Sequence, residues 1–496
     1  MAEIVKSKGS GPKGPVRPLR PRPKLAGFPL MAALAWLLLA NPARAQSVLL
    51  GPIARRVKAK IELDPRLPSG VLRRDVLALN PPHDLACSLT LPVCVANAPA
   101  VAYRGNEVRS KPLLRGAAAM EGHLAAALSA LEIGYRRLVY AARLPEPERR
   151  WDPNSGSPAV TWELRPTPGP LTVDLVPAQN RAFDSASVVC RSGVADVALA
   201  AANYEREAAF CIGEAIAARL DPAESPRSRR AYAAGLWWEV GQPNGSDLVE
   251  VVRANAEAHQ AAVGRDELDA AASTALFFEY IEQTLGTEVP YGLVTGLFAL
   301  SGRTQRADGP RTLNEPDWLD VLRGSLSDDR VDFAHRVNAF AAARAQLGSS
   351  AGPLGRLAWA GTFARIVPDW NLRVSSLPRR VANKMPIGPL GMVAVRIDID
   401  VPTNDLSLAV HVEWEGPGPF SWTAVKLDAQ EQETGRLDFA FEPRVTNAEK
   451  RIVALDGVRS LLILGVNLGG IDATHLLDPD HAPFEPHGCT VYVVRI

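Results

Sequence analysis

Apolar residues recur along this chain with two periods, and the period changes once. Leu124, Leu128, Leu131, Tyr135, Leu138 and Ala142 return every three or four positions, which predicts a one-sided helix within Leu113–Leu144, ended by Pro145. The same spacing predicts helices from about Val194 to Leu220, Pro226 to Val240, Asp247 to Val263 and Asp266 to Leu285. Shorter helical runs follow at Tyr291–Leu300, Asp317–Leu322 and Asp328–Leu347. Only Leu171–Val176 and Ala186–Cys190 read as strands in this region. After Pro389 the period becomes two. Val393–Val401, Leu406–Trp414, Ser421–Leu427, Leu437–Phe441, Arg451–Leu455, Ser460–Val466 and Thr490–Ile496 alternate, with turn residues between them. Such a run of short strands predicts a β-sandwich.

The expected fold class is therefore α+β, a mainly helical domain with a small sheet followed by an all-β C-terminal sandwich. The expected divisions are a signal peptide over 1–45, a Pro-rich lead-in over 46–112, the helical domain over 113–350, a linker over 351–388 and the sandwich over 389–496. Residues 53–63 (IARRVKAKIEL) are the one strand expected in the lead-in, and 145–170 reads as a Pro/Gly/Ser loop.

Seven basic residues from Lys6 to Lys24 precede the apolar run Leu25–Ala40, and Ala43-Arg44-Ala45 offers small residues for cleavage before Gln46. This pattern predicts export to the periplasm or medium. An uncleaved anchor is the alternative, because the apolar run approaches spanning length. Residues 1–45 hold eight basic residues and one acid, so the remaining chain has 47 basic and 53 acidic residues, a net of −6. That balance gives no electrostatic reason to seek nucleic acid or an anionic membrane. A content of 47% hydrophobic and 22% charged residues excludes wholesale disorder. In an oxidising compartment cysteines pair. Cys87–Cys94 would close a small loop, Cys190–Cys211 would tie a strand to a helix, and Cys489 is left over, although sequence leaves the connectivity open.

Several residue groups have both a chemical and a structural reading. Glu207 and Glu214 lie seven apart on one helix face, either an acid pair or a solvated or ion-paired stripe near Arg206 and Arg219. Trp237-Trp238 is a ligand platform or a pair of core anchors. Asp472, His475, Asp478, Asp480, His481 and His487 cluster near the C-terminus, as a Ca²⁺ or Zn²⁺ site or as a rigid Pro-rich turn. Cys489 shares a strand face with His487 and is a candidate nucleophile or a buried thiol. Motifs of the G-x-S-x-G, G-x-G-x-x-G and Walker kinds are absent.

The order strand, strand, long helix, then a second helix with a Trp-rich end resembles the zincin metalloproteases, closest to secreted bacterial peptidases of the immune-inhibitor-like kind that carry a C-terminal β-sandwich. The run Ala275–Ile281 (ALFFEYI) is similar to a later packing helix of that family. The resemblance implies H-E-x-x-H on the first helix, two His gripping Zn²⁺ and a Glu activating its water. This chain departs from it. One register gives Cys211, Ile212, Gly213, Glu214, Ala215, and the register one residue earlier gives Phe210, Cys211, Ile212, Gly213, Glu214. The third-ligand Glu would fall near Tyr232, and none of the eight histidines lies in either helix.

The expectation is an exported, non-catalytic metallopeptidase-like protein that binds a protein, peptide or glycan in the envelope or outside. No catalytic, cofactor-binding or metal-binding residue is assigned, no cofactor is expected, and neither nucleic acid nor membrane is expected as a partner after signal cleavage. The rivals are an active secreted metallohydrolase with an unrecognised site and a structural envelope protein. An extended peptide adding to the 171–176 strand is one way such a scaffold could bind.

Overall fold

A computed structural model describes residues 71–74, 84–88, 90–97, 100–104, 107–111, 117–147, 160–165, 172–176, 187–193, 197–240, 268–286, 289–304, 307–308, 311–312, 316–326, 329–347, 366–388, 390–415, 420–440, 445–468 and 487–496. The chain divides into two units, Met1–Ala45 and Gln46–Ile496, and every described residue lies in the second. The signal segment, the strand expected at 53–63 and the helix expected at 247–263 lie outside the described residues.

Helices and several sheets make up an α+β chain. The first sheet has six strands: β1 (Val71–Arg74), β2 (Asp84–Cys87), β3 (Val93–Asn97), β6 (Val160–Arg165), β7 (Thr172–Val176) and β8 (Ser187–Gly193). Between β3 and β6 in the chain, β4 (Ala100–Arg104) and β5 (Glu107–Lys111) form a separate hairpin. The order across the sheet is β1-β2-β3-β6-β8-β7. β3, β6 and β8 run parallel, while β7 closes the edge antiparallel to β8. Four of these strands arise where the sequence pattern predicts irregular chain. β1, β2 and β3 fall in the Pro-rich lead-in, and β6 falls in the expected 145–170 loop. Val93, Val95, Val160 and Trp162 are fully buried there, so burial on a parallel sheet outweighs the flanking Pro and Gly.

α1 (Ala117–Tyr135) continues into one π-helical stretch, Arg136–Ala141, and the expected apolar stripe from Leu124 to Ala142 is buried throughout. It packs on β3 and on α2 (Val197–Leu220). α2 lies in turn against α3 (Pro226–Val240). Pro226 opens α3 at the position where a missing N–H costs nothing, and the Ser225 hydroxyl accepts from Ser228 N at 3.1 Å. α4 (Leu268–Leu285), α5 (Gly292–Thr304), α6 (Trp318–Gly324) and α7 (Asp329–Ala345) complete the helical part, with the two-residue strands β9 (Ala307–Asp308) and β10 (Arg311–Thr312) paired antiparallel between α5 and α6. α6 begins with a reciprocal cap between Asp317 and Asp320. Among the described residues no helix is long and apolar enough to cross a membrane.

The C-terminal strands form two sheets. β11 (Trp370–Arg373), β13 (Met392–Asp398), β18 (Ser460–Asn467), β15 (Phe420–Leu427) and β16 (Glu433–Asp438) lie in that order in one. β12 (Arg379–Ala382), β19 (Cys489–Arg495), β14 (Leu408–Trp414) and β17 (Asn447–Ile452) make the other. β11 and β12 fall within the segment expected as linker. Val393, Val395, Ile463 and Trp422 of the first sheet share one apolar cluster with Val410, Val412, Val491 and Val493 of the second. The opposite face of the first sheet is apolar too. Met392, Ala394, Leu462, Leu464 and Val425 join the core of the helices, and α7 lies across β15 and β18. All eight residues of β18 are consequently buried. The core passes without a break across residue 389.

Candidate functional site

The five residues Phe210–Glu214 on α2 go three ways. Phe210 and Glu214 are one helical turn apart and meet the same group, the Arg230 guanidinium of α3. Arg230 Nη1 donates to Glu214 Oε1 at 2.8 Å, and its guanidinium carbon stands 4.6 Å from the centre of the Phe210 ring. Cys211 points to the sheet and is bonded to Cys190 on β8. At Gly213 α2 and α3 approach closely, since a Cβ there would lie 2.8 Å from Ala233 Cα. Ile212, fully buried, abuts Gly134 of α1. Burial raises the Glu214 carboxyl above the usual carboxylate range, and the Arg230 guanidinium pulls it back in part.

Glu214 is therefore buried and tied to a cation of the neighbouring helix, rather than lying on a solvated stripe near Arg206 and Arg219. Glu207 is half-buried, and its charge adds to burial, the larger cause, in pushing the Tyr204 phenol up to about 12. Tyr232, near the expected third-ligand position, is a core residue: its hydroxyl shares a hydrogen bond with Thr295 Oγ1 at 2.9 Å, and its ring packs edge-on to Tyr291. Trp238 is buried in the same core, as is Trp237, whose indole N–H has no acceptor among the described residues.

Sequence reasoning passed over a buried carboxylate group between α3 and α4. Glu279 accepts from Gln283 Nε2 at 2.5 Å and lies against Glu239. Burial first, and then the Glu239 charge, push its carboxyl up to about 8. Glu282 is pushed up to about 7 by burial, although it accepts from Leu293 N at 3.3 Å and Val294 N at 3.1 Å at the start of α5. Tyr291, with φ of 55°, is wholly buried nearby, and its hydroxyl has no partner among the described residues. The signal was present in Phe277-Phe278-Glu279-Tyr280-Ile281-Glu282, where two acids three apart interrupt an otherwise apolar run. Among the described residues no three His, Cys, Asp or Glu side chains converge in a metal-holding arrangement.

In the C-terminal region, Asp472, His475, Asp478, Asp480 and His481 lie outside the described residues. His487 exchanges backbone hydrogen bonds with Ile387. Cys489 is a free, buried thiol pushed up to about 12, by burial first and then by Asp369 and Glu415. It stays protonated at neutral pH, and the nucleophilic reading fails because the thiolate is the reactive form. Cys94 is disulfide-bonded and faces Cys87 in the β2–β3 pairing.

A cavity of about 410 Å³ opens at the end of the second C-terminal sheet, walled by Asn383, Pro386, Trp414, Glu415 and Cys489 among others. A smaller one of about 190 Å³ adjoins it and shares Glu413 and Thr490 with it. Strand register sets Arg380, Tyr492 and His411 abreast on β12, β19 and β14. Arg380 Nη2 donates to Glu413 Oε2 at 2.8 Å, and His411 Nε2 lies 3.2 Å from Glu413 Oε1. No protein-family model matches the chain, and no curated protein matches it in sequence.

Proposed function

We propose that this chain is an exported, non-catalytic binding protein built on a zincin-like helical scaffold with a C-terminal β-sandwich. The observation that carries the reading is the Arg230 guanidinium. In the register Phe210, Cys211, Ile212, Gly213, Glu214, the two positions where the resemblance requires metal-gripping imidazoles are Phe210 and Glu214, and both hold this one side chain. That contact supports a scaffold in which the protein's own cation replaces a bound metal ion. Cys211, at the general-base position of that register, is committed to a disulfide.

The element order supports the same reading. β8 leads into α2, α3 follows with its Trp237-Trp238 end, and β7 forms the sheet edge beside them. The two C-terminal sheets share one apolar cluster, which supports the sandwich. The leader over residues 1–45 supports export.

The test is elemental analysis of the purified full chain, with a peptidase assay run with and without chelator. Less than stoichiometric zinc and no chelator-sensitive cleavage are expected. One tightly held zinc per chain, with cleavage that dies on chelation, overturns the reading in favour of an active metallohydrolase.

A further inference from the structure

We propose that the outer face of the sheet β12-β19-β14-β17 carries a binding groove for a neutral oligosaccharide. This names a ligand class for the binding reading and is independent of the zincin-like one.

The two adjoining cavities, about 410 and about 190 Å³, make one groove through their shared Glu413 and Thr490. The larger falls in the size range of small-ligand sites. Tyr492 is 39% exposed in the middle of the sheet face, an amphipathic ring on which the apolar face of a sugar ring can stack. Around it the polar groups are planar and already oriented. Glu413 is held between Arg380 and His411, and Glu415 accepts from Gly488 N at 3.0 Å. Asn383 is fixed by accepting from Cys489 N at 2.6 Å. Trp414 backs the larger cavity from the apolar cluster behind the sheet, packed on Phe420 and Trp422.

The mixture of groups selects the ligand. An anion would meet Glu413 and Glu415. An ammonium group would meet Arg380, which is 64% exposed beside Glu413. Hydroxyl groups both donate and accept, so they serve the carboxylates and the N–H donors together.

Calorimetric titration of the full chain with cellohexaose, xylohexaose, maltohexaose and chitohexaose tests this, with oligolysine and heparin as charged controls. At least one neutral hexasaccharide is expected to bind with a Kd of about 1 mM or tighter. Tyr492→Ala is expected to weaken it about tenfold or more. Glu413→Gln should do the same. The thermal midpoints of both variants should stay unchanged, since both side chains are exposed. Binding by none of the four sugars overturns the proposal. So does affinity indifferent to Tyr492→Ala, or Tyr492-dependent binding of oligolysine or heparin in place of the sugars. A chain that holds catalytic zinc and also binds a sugar here would overturn the non-catalytic reading alone.

Discussion

Arg230 and Glu214 form a buried ion pair between two adjacent helices, with Nη1 and Oε1 2.8 Å apart and the two side chains 17% and 5% exposed. Removing the cation leaves a carboxylate in a closed core. Arg230→Ala is expected to cost about 3 kcal/mol or more, because breaking one side of a buried pair strands the other. Adding Glu214→Gln to that variant should recover a large part of the loss. Urea unfolding of the two variants beside the parent measures both effects. A loss equal in the single and double variants would mean that Arg230 acts through packing on Phe210 alone.

The Cys190–Cys211 bond ties β8 to α2 across a sequence separation of 21. A crosslink over a loop of that length is worth about 3 kcal/mol through restriction of the unfolded chain. Replacing both cysteines with Ala should lower the thermal midpoint by several degrees. Cys489 offers a contrast. Its thiol should resist maleimide at pH 8 in the folded chain and react at once in denaturant, and rapid labelling of the native protein would contradict its burial.

Stability should fall as pH rises past the carboxylate range. Glu279 is held up to about 8 by burial and then by Glu239, and Glu282 up to about 7 by burial. In the unfolded chain such groups titrate near about 4.3. A folded value above the unfolded one gives a contribution that is complete below about pH 4 and is lost as pH climbs toward 7 and 8. Each proton contributes a slope of at most about 1.4 kcal/mol per pH unit. Glu279→Gln should flatten the decline between pH 5 and pH 8, as read by unfolding free energy at each pH.

Gly213→Ala is expected to cost about 1–3 kcal/mol, since its Cβ would stand 2.8 Å from Ala233 Cα and force the α2 and α3 backbones apart. A midpoint within error of the parent would show that the crossing can open without loss.

Where apolar spacing was sustained, the elements were legible before any coordinates. The stripe from Leu124 to Ala142 and the α3 limits, Pro226 and Val240, agree with the structure because their period and their Pro boundaries are local signals. β6 was illegible for a complementary reason. Val160 and Trp162 are buried by β3 and β8, which are distant in sequence, while the adjacent prolines and glycines signal a loop. The Cys190–Cys211 pair was one option among several until the fold brought β8 to α2. Phe210 and Glu214 could be placed on one face from spacing alone, but their common partner comes from the next helix, and nothing local announces Arg230.

β18, buried along its whole length, lies between two hydrophobic layers. This fixes how the protein can be taken apart by evolution or by protease. The C-terminal sheets are not a detachable cassette that could be swapped onto another protein. A fragment beginning near residue 389 would offer Met392, Leu462 and Leu464 to water as a waxy slab and clump, so the two halves must be inherited together.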